Sequence, residues 1–307
     1  TTAIALTSSA AAYFAELYQL KGSELDNKKI LKMHNDTGQS LDFPFQTIAD
    51  KFRMIESHMQ PLIIPFDVDA ENLISSLHHA DHIGGCKYLQ AQTGCKVYAP
   101  GVERDFTRHT LLEPALLYGG FPPKALRHKF LMAQESDADE LASAELPEGF
   151  EIIPLPGHCF EMVGFRTPDN VVFLADCLSS RATLEKYRIG FIYDVQAYLD
   201  TLEKVKYLKA AFFVPAHAEA CEDVSELAQY NIDTVNEIAG RIKSICTQPV
   251  NFEALLKRLF DEYALEMSFE QYALVGSTVK SYLAWLMDKG QLKAECKNNM
   301  LLWETAE

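Results

Sequence analysis

Short, mostly apolar runs recur along the middle of the chain, and each ends at a turn of polar residues or glycine. They cover residues 73–74, 95–99, 152–155, 171–174 and 212–214. Runs of this length are typical of buried strands, and residues 83–92, between the first two runs, have helical spacing. The pattern therefore predicts an α/β fold in which strands alternate with helices.

The turn after residues 73–74 concentrates side chains that bind metals. His79, Asp81 and His82 stand within four residues of one another there, just ahead of two glycines. A strand would send neighbouring side chains to opposite faces, so these groups converge on one cation only if a turn presents them. Imidazole and carboxylate suit Zn²⁺ and, with more oxygen ligands, Fe or Mn. A His-rich polar loop without metal is the simpler alternative.

Three later ligand-type residues favour the metal site over that alternative. Each stands within three residues of the end of one of the apolar runs: His158, Asp176 and His217. In layered α/β folds, loops at strand ends carry much of the chemistry. Four strand ends are thus predicted to build one site.

In their order, these motifs resemble the metallo-β-lactamase superfamily of metal-dependent hydrolases. That family has a His-x-His-x-Asp-His motif followed by a Gly-His, a lone Asp and a final His. The resemblance covers most of residues 1 to about 235 and implies a four-layer αβ/βα sandwich. It also implies two metal positions with these ligands: His79 and His158 at the first, Asp81, His82 and His217 at the second, and Asp176 bridging both.

One position departs from the family pattern. The first histidine of the motif falls on Leu77, which has no ligand atom, and the neighbouring His78 is out of register by one residue. The first metal position is therefore one ligand short. Three outcomes stay open: one metal at the second position, two metals with His78 or water completing the first, or a site without metal.

The resemblance implies a hydrolase that acts on a small ester, thioester or lactone. Zn²⁺, as one or two ions, is the expected cofactor, with Fe or Mn as alternatives. A Zn-class ion lowers the pKa of its bound water to about 7, and Asp81 and Asp176 are the predicted catalytic residues that orient this water. Two other interpretations are a degenerate protein that binds metal or ligand without hydrolysis, which Leu77 favours, and an iron-containing redox protein.

Charge and composition narrow the expected partners. The 307 residues include 28 Lys and Arg against 43 Asp and Glu, a net charge of −15. This excess of negative charge opposes binding to nucleic-acid backbones and anionic membranes. No apolar run is long enough to span a bilayer, and seven scattered cysteines fit reduced thiols better than a disulfide framework. We expect a cytoplasmic protein with a small-molecule substrate, no nucleic acid and no membrane partner.

The end of the chain predicts three amphipathic helices and a hairpin, an order that resembles a winged helix. The helices are expected at residues 226–246, 252–263 and 269–287, and the hairpin strands at 292–296 and 300–303. Residues 236–307 hold 8 Lys and Arg against 10 Asp and Glu, so the basic face of a DNA reader is missing. We expect residues 1–235 to form one domain and residues 236–307 a second that is structural or forms a homodimer.

Three segments have a weaker pattern. Residues 27–34 have helical spacing, and residues 135–148 predict a solvated acidic loop. Residues 101–135 mix aromatic residues with paired glycines and prolines, which predicts an irregular wall of the substrate pocket; an ordinary packed excursion is the alternative. The cationic candidates for an anionic substrate group are Arg104, Arg108 and His109, with surface ion pairs as their simpler role.

Overall fold

The structure is a computed structural model that describes residues 72–306 and the backbone of three earlier strands. These strands are β1 (Thr2–Ile4), β2 (Ile30–His34) and β3 (Ser40–Pro44). Predictions on residues 5–29, 35–39 and 45–71 lie outside the described residues. This includes most of the N-terminal segment of the chain.

The strand β2 contradicts part of one prediction. Helical spacing over residues 27–34 predicts a helix, but Ile30–His34 pairs antiparallel with Ser40–Pro44. The helix prediction was wrong there because five residues are too few to separate a period of two from a period of 3.6, and pairing with a neighbour decides the outcome.

The chain divides into two compact units. The first contains Thr1–Leu155, Glu161–Asp176 and Lys209–Asp223, and the second contains Pro156–Phe160, Cys177–Leu208 and Val224–Glu307. The expected division between residues 235 and 236 falls inside a helix of the second unit, and it stays a prediction.

A parallel sheet of the first unit confirms the alternation of strands and helices. Its strand order is β1, β4 (Asn72–Ile74), β5 (Lys96–Ala99) and β6 (Ala138–Glu140). Between β4 and β5 lie two helices, α1 (Ala80–Ile83) and α2 (Cys86–Thr93). Apolar residues of these strands and helices form a core that includes Leu73, Ile83 and Val97. Burial of this core fixes the turn that begins at the end of β4.

Residues 101–140 are more regular than their composition predicts. They form α3 (Gly101–Arg108), α4 (Leu112–Tyr118) and a short 3₁₀ helix at Lys124–Leu126 before β6. The predictions of an irregular segment and of a solvated loop over residues 135–148 were therefore wrong for these elements. Phe106 and Leu117 are buried, so tertiary packing stabilises two short helices ahead of the Gly and Pro pairs, which begin only where α4 ends.

A second sheet has the strand order β10, β9, β8 and β7. Its strands are β7 (Glu151–Pro154), β8 (Val163–Arg166), β9 (Val171–Ser179) and β10 (Phe212–His217). The strands β8 and β9 pair antiparallel, and Asn170 at their turn has φ 61°. This confirms the predicted hairpin, since Asn tolerates the left-handed region better than most residues.

The second unit confirms the predicted three helices and hairpin at the end of the chain. After α5 (Arg181–Tyr187) and α6 (Val195–Lys206), it contains α7 (Ser225–Ile245), α8 (Phe252–Glu262), α9 (Phe269–Asp288), β11 (Leu292–Lys297) and β12 (Met300–Thr305). The side chains of Asn251 and Ser268 cap α8 and α9 by accepting backbone hydrogen bonds. Among residues 72–306, no helix is long and apolar enough to cross a membrane.

All seven cysteines lie in the described range, and none forms a disulfide. Six of the seven are at least partly buried, and only Cys296 is exposed. This agrees with the expectation of reduced thiols that pack as small apolar side chains.

Close packing between β8 and β9 gives a test of the fold. A Cβ on Gly164 would lie 2.3 Å from the backbone oxygen of Phe173, so Gly164→Ala should lower the free energy of unfolding by about 1–3 kcal/mol. Gly120→Ala is the matched control because nothing lies within 4 Å of its added Cβ. Urea denaturation of both variants measures the difference, and equal midpoints would contradict the packing of these strands.

Candidate metal centre

The turn after β4 presents its ligand-type residues from a single helical turn. Asp81 and His82 lie on α1, and His79 occupies the position just before it. The backbone N–H groups of His82 and Ile83 both donate to the carbonyl of His79, at 2.8 and 3.1 Å. The prediction that a turn presents these groups is confirmed, although the sequence pattern placed the helix start after them.

Asp176 and His217 come from two strands of the second sheet. Asp176 lies within β9, and His217 is the last residue of β10. Ala175, directly before Asp176, has φ 47°, a left-handed conformation that costs a non-glycine residue about 1–3 kcal/mol. Such strain persists where the surrounding structure imposes it, and here it sets the backbone direction from which the Asp176 side chain departs.

Four of the predicted ligand residues converge within the first unit. The Nε2 atom of His82 lies 2.9 Å from Asp176 Oδ1 and 3.7 Å from Asp81 Oδ2. The Nε2 atom of His217 lies 3.2 Å from Asp176 Oδ2 and 3.3 Å from Asp81 Oδ2. Two imidazoles and two carboxylates thus meet in one place, which we call the four-residue cluster.

The spacing of the four-residue cluster suits a bound cation. Ligand atoms about 2.1 Å from a tetrahedral Zn²⁺ are about 3.4 Å apart, and the four separations are 2.9, 3.2, 3.3 and 3.7 Å. The Nε2 atom of His82 is buried and makes no hydrogen bond of acceptable geometry. A buried nitrogen without a hydrogen bond is costly unless another partner takes its lone pair. The donor set therefore fits a divalent metal.

Burial falls steeply across the four-residue cluster. The side chains of His82 and Asp176 are 2% and 4% exposed, whereas those of Asp81 and His217 are 18% and 39% exposed. The cluster is therefore closed on the side of His82 and open to solvent on the side of His217. A substrate would reach the centre from the open side.

The carboxylates and imidazoles of the cluster shift one another's pKa toward the charged forms. Burial raises the pKa of Asp176, but the charges of the nearby His217 and His82 lower it well below its ordinary value. Burial likewise raises the pKa of Asp81, and His82 and His217 reverse this, so that it is lowered overall. Asp176 raises the pKa of His217 well above its ordinary value. Burial lowers the pKa of His82, whereas Asp176 and Asp81 raise it more.

His79 lies beside this cluster, and His158 belongs to the other unit. The Nδ1 atom of His79 lies 4.0 Å from Asp176 Oδ2. His158 follows Gly157, whose φ of 117° and whose Cβ position 2.2 Å from the Tyr198 nitrogen exclude other residues. The ring of His158 meets Phe191 at 5.6 Å between centroids. Its place in the metal site stays a prediction.

The structure gives Leu77 and His78 different surroundings. Leu77 is 0% exposed and belongs to the core. His78 is also buried, with its Nδ1 atom in contact with Glu103 Oε2 and its ring centroid 4.2 Å from that of Phe106. His78 therefore points one nitrogen at α3.

Two buried carboxylates near the His turn were missed by sequence reasoning. Glu103 on α3 accepts a hydrogen bond from the backbone N–H of Glu161 at 2.8 Å, in addition to its contact with His78. Glu113 on α4 is buried, and this burial, with the charges of Asp81 and Glu103, raises its pKa well above the ordinary value. The sequence signal was weak: Glu113 stands between Leu112 and Pro114, but Glu103 is followed by Arg104 and Asp105.

The cationic candidates of that segment are engaged elsewhere. Arg104 pairs with Asp105 at 2.9 Å and with Glu140 at 3.5 Å, and Arg108 pairs with Asp137 at 3.4 Å. His109 is exposed. The arginines thus make the surface ion pairs that were the simpler expectation.

Comparisons with known proteins agree with this fold. Residues 78–217 match the family model of the Metallo-beta-lactamase superfamily. A metallo-beta-lactamase family protein from Thermus thermophilus has a similar structure, with 15% identity, a TM-score of 0.57, and coverage of 77% of this chain and 80% of that chain. A beta-lactamase domain protein from Burkholderia ambifaria gives 13% identity, a TM-score of 0.56, and coverage of 90% and 86%. Among curated proteins, no sequence matches.

Residues 78–217 therefore form a metallo-beta-lactamase superfamily domain, as the motifs predicted. The α/β fold class is confirmed with it. At identities of 13–15% the solved structures support the fold alone. The four-residue cluster lies wholly within the matched residues.

The charge pairs of the cluster predict how the metal-free protein responds to pH. The raised pKa of His217 and His82 stabilises the folded protein fully at pH values below the ordinary imidazole pKa of about 6.5. The lowered pKa of Asp81 and Asp176 stabilises it fully at pH values above the ordinary carboxyl pKa of about 3.9. Between about pH 3.9 and about pH 6.5 the histidines and the aspartates therefore both stabilise the fold. The unfolding temperature of chelator-treated protein should therefore fall as the pH rises above about 6.5.

Thermal unfolding between pH 5 and 9 measures this dependence. His217→Ala should weaken it, whereas His109→Ala, which removes an exposed imidazole, should leave it unchanged. A metal-free protein whose unfolding temperature is flat above pH 6.5 would show that the imidazoles are not held in their charged form.

Proposed function

We propose that this chain is a metal-dependent hydrolase centred on Asp81, His82, Asp176 and His217. The observation that carries the proposal is the convergence of their four ligand-type groups, with neighbouring atoms 2.9–3.7 Å apart. Membership of residues 78–217 in the superfamily supports the same class of chemistry. We propose Zn²⁺ as the metal because two nitrogen and two oxygen ligands at this spacing suit it, with Fe and Mn as alternatives.

The residues of the cluster have different roles in the proposed hydrolysis. A Zn-class ion held by these four residues would supply a water with a pKa of about 7 and would polarise the substrate oxygen. In the metal-free site, His82 and His217 favour the ionised forms of Asp81 and Asp176, which are the forms that bind a cation. An ionised carboxylate beside the attacking water orients it and accepts its proton. Asp81, the more exposed of the two carboxylates, is the better placed to meet a substrate.

The proposed substrate is a small ester, thioester or lactone. The net charge of −15 disfavours a nucleic-acid substrate. The open side of the cluster, at His217, supports access by a small molecule. The superfamily resemblance supports a hydrolysable acyl bond, since a metal-polarised carbonyl is what this type of centre attacks.

A second candidate function is metal binding without hydrolysis. The observation that favours it is the complete burial of Leu77, which leaves the family's first metal position without its first histidine. A centre with one metal at the four-residue cluster would then serve binding alone.

Removal of Asp81 separates the two candidates. Asp81→Ala should lower turnover of the best substrate in an ester, thioester and lactone panel by at least about 100-fold, because it removes both a ligand and a proton acceptor. Elemental analysis of protein purified without chelator should show at least one metal per chain in the wild type and less in the variant.

Asp139→Ala is the matched control, because this carboxylate is exposed in the same unit. It should keep both activity and metal content, and thermal unfolding should show both variants folded. Undiminished turnover in Asp81→Ala contradicts the catalytic assignment. Bound metal without turnover of any panel member favours the second candidate.

A further inference from the structure

Helices α3 and α4 each bury one glutamate near the His turn, and the two differ in their partners. Glu103 is held by the N–H of Glu161 and by His78. Glu113 is only 8% exposed, and among residues 72–306 no side chain forms an ion pair with its carboxylate. Glutamate is rarely buried to this extent. The two glutamates therefore differ in how the described residues hold them.

The position of Glu113 points to a ligand. A carboxylate oxygen of Glu113 and one ring nitrogen each of His78 and His79 lie within 4.8 Å of one another. His79 in turn lies 4.0 Å from Asp176 of the four-residue cluster. The three residues thus form a second group of ligand-type atoms directly beside the first, which we call the glutamate group.

The electrostatics of the glutamate group favour a cation. The charged groups that act on Glu113 are Asp81 and Glu103, and both are negative. An anionic ligand would add to the repulsion between Glu113 and these two carboxylates. A divalent cation bound between the two imidazoles and Glu113 would reduce that repulsion. Two His and one Glu is also a ligand set known for zinc.

The contact between His78 and Glu103 prepares His78 for this role. A carboxylate next to Nδ1 makes that nitrogen the N–H donor, so the lone pair of the ring is on Nε2. Metal-binding histidines commonly donate their other N–H to such a carboxylate, which fixes the ring and raises its basicity. Glu103 would be a positioning residue of this kind.

We propose that Glu113, together with His78 and His79, forms a second cation position and supplies the ligand that Leu77 cannot. The cation is a divalent ion of the Zn class. This inference rests on the proposed metal centre at the four-residue cluster. That cluster would bind an ion before the glutamate group does, because it offers four ligand groups. The glutamate group would hold the second ion.

Titration of chelator-treated protein with Zn²⁺ in a calorimeter tests the proposal. The wild type should bind two ions per chain. Removing a residue that only holds a metal ligand in place weakens metal binding by up to about 100-fold. Glu113→Gln removes a proposed ligand, so it should abolish the second binding step or weaken it by at least about 100-fold. The first step should stay unchanged. Glu148→Gln, which alters an exposed carboxylate, should bind two ions like the wild type.

Glu113→Gln keeps the side-chain shape and removes the ionisable carboxyl group, so its metal-free unfolding temperature should not fall. Glu113→Ala is the second variant, and it should lose the same binding step. Two ions bound with wild-type affinity by both variants would overturn the role of Glu113. One ion in the wild type would overturn the second position while leaving the proposed hydrolase intact, and no ion in the wild type would overturn both.

Discussion

The constraint on which this structure depends is the burial of negative charge. Asp176 and Asp81 approach the same imidazoles and are themselves largely buried, although the site is open to solvent at His217. Isolated carboxylates would not tolerate such burial. His82 and His217 make the arrangement possible by sharing the opposite charge. One helical turn, the interior of β9 and the end of β10 are held together here, and the strained backbone at Ala175 is part of the cost.

The same constraint explains why a metal fits so readily. Two protonated imidazoles opposite two carboxylates have no net charge. In the proposed function, a divalent cation would replace those two protons and would again balance the charge of the site, so that binding would exchange two protons for one ion. The site would thus be preorganised for a cation by the same groups that stabilise it without one.

The sequence predicts the parts of the site that are encoded locally. His79, Asp81 and His82 are close together, and Asp176 and His217 follow apolar runs, so spacing and apolar runs were enough to find them. Glu103 and Glu113 were missed because their burial arises from packing of α3 and α4, which no short motif records. The strand β2 was mispredicted because pairing with the neighbouring strand β3 decided its conformation. The helices within residues 101–118 were mispredicted because tertiary packing decided theirs.

The burial of Leu77 limits what a substitution at this position could add to the site. Its side chain is wholly within the core, so a histidine introduced there would exchange apolar packing for a buried imidazole before it could gain any ligand role. The packing of the core beneath β4 and the ligand chemistry of the turn above it therefore compete for the same residue.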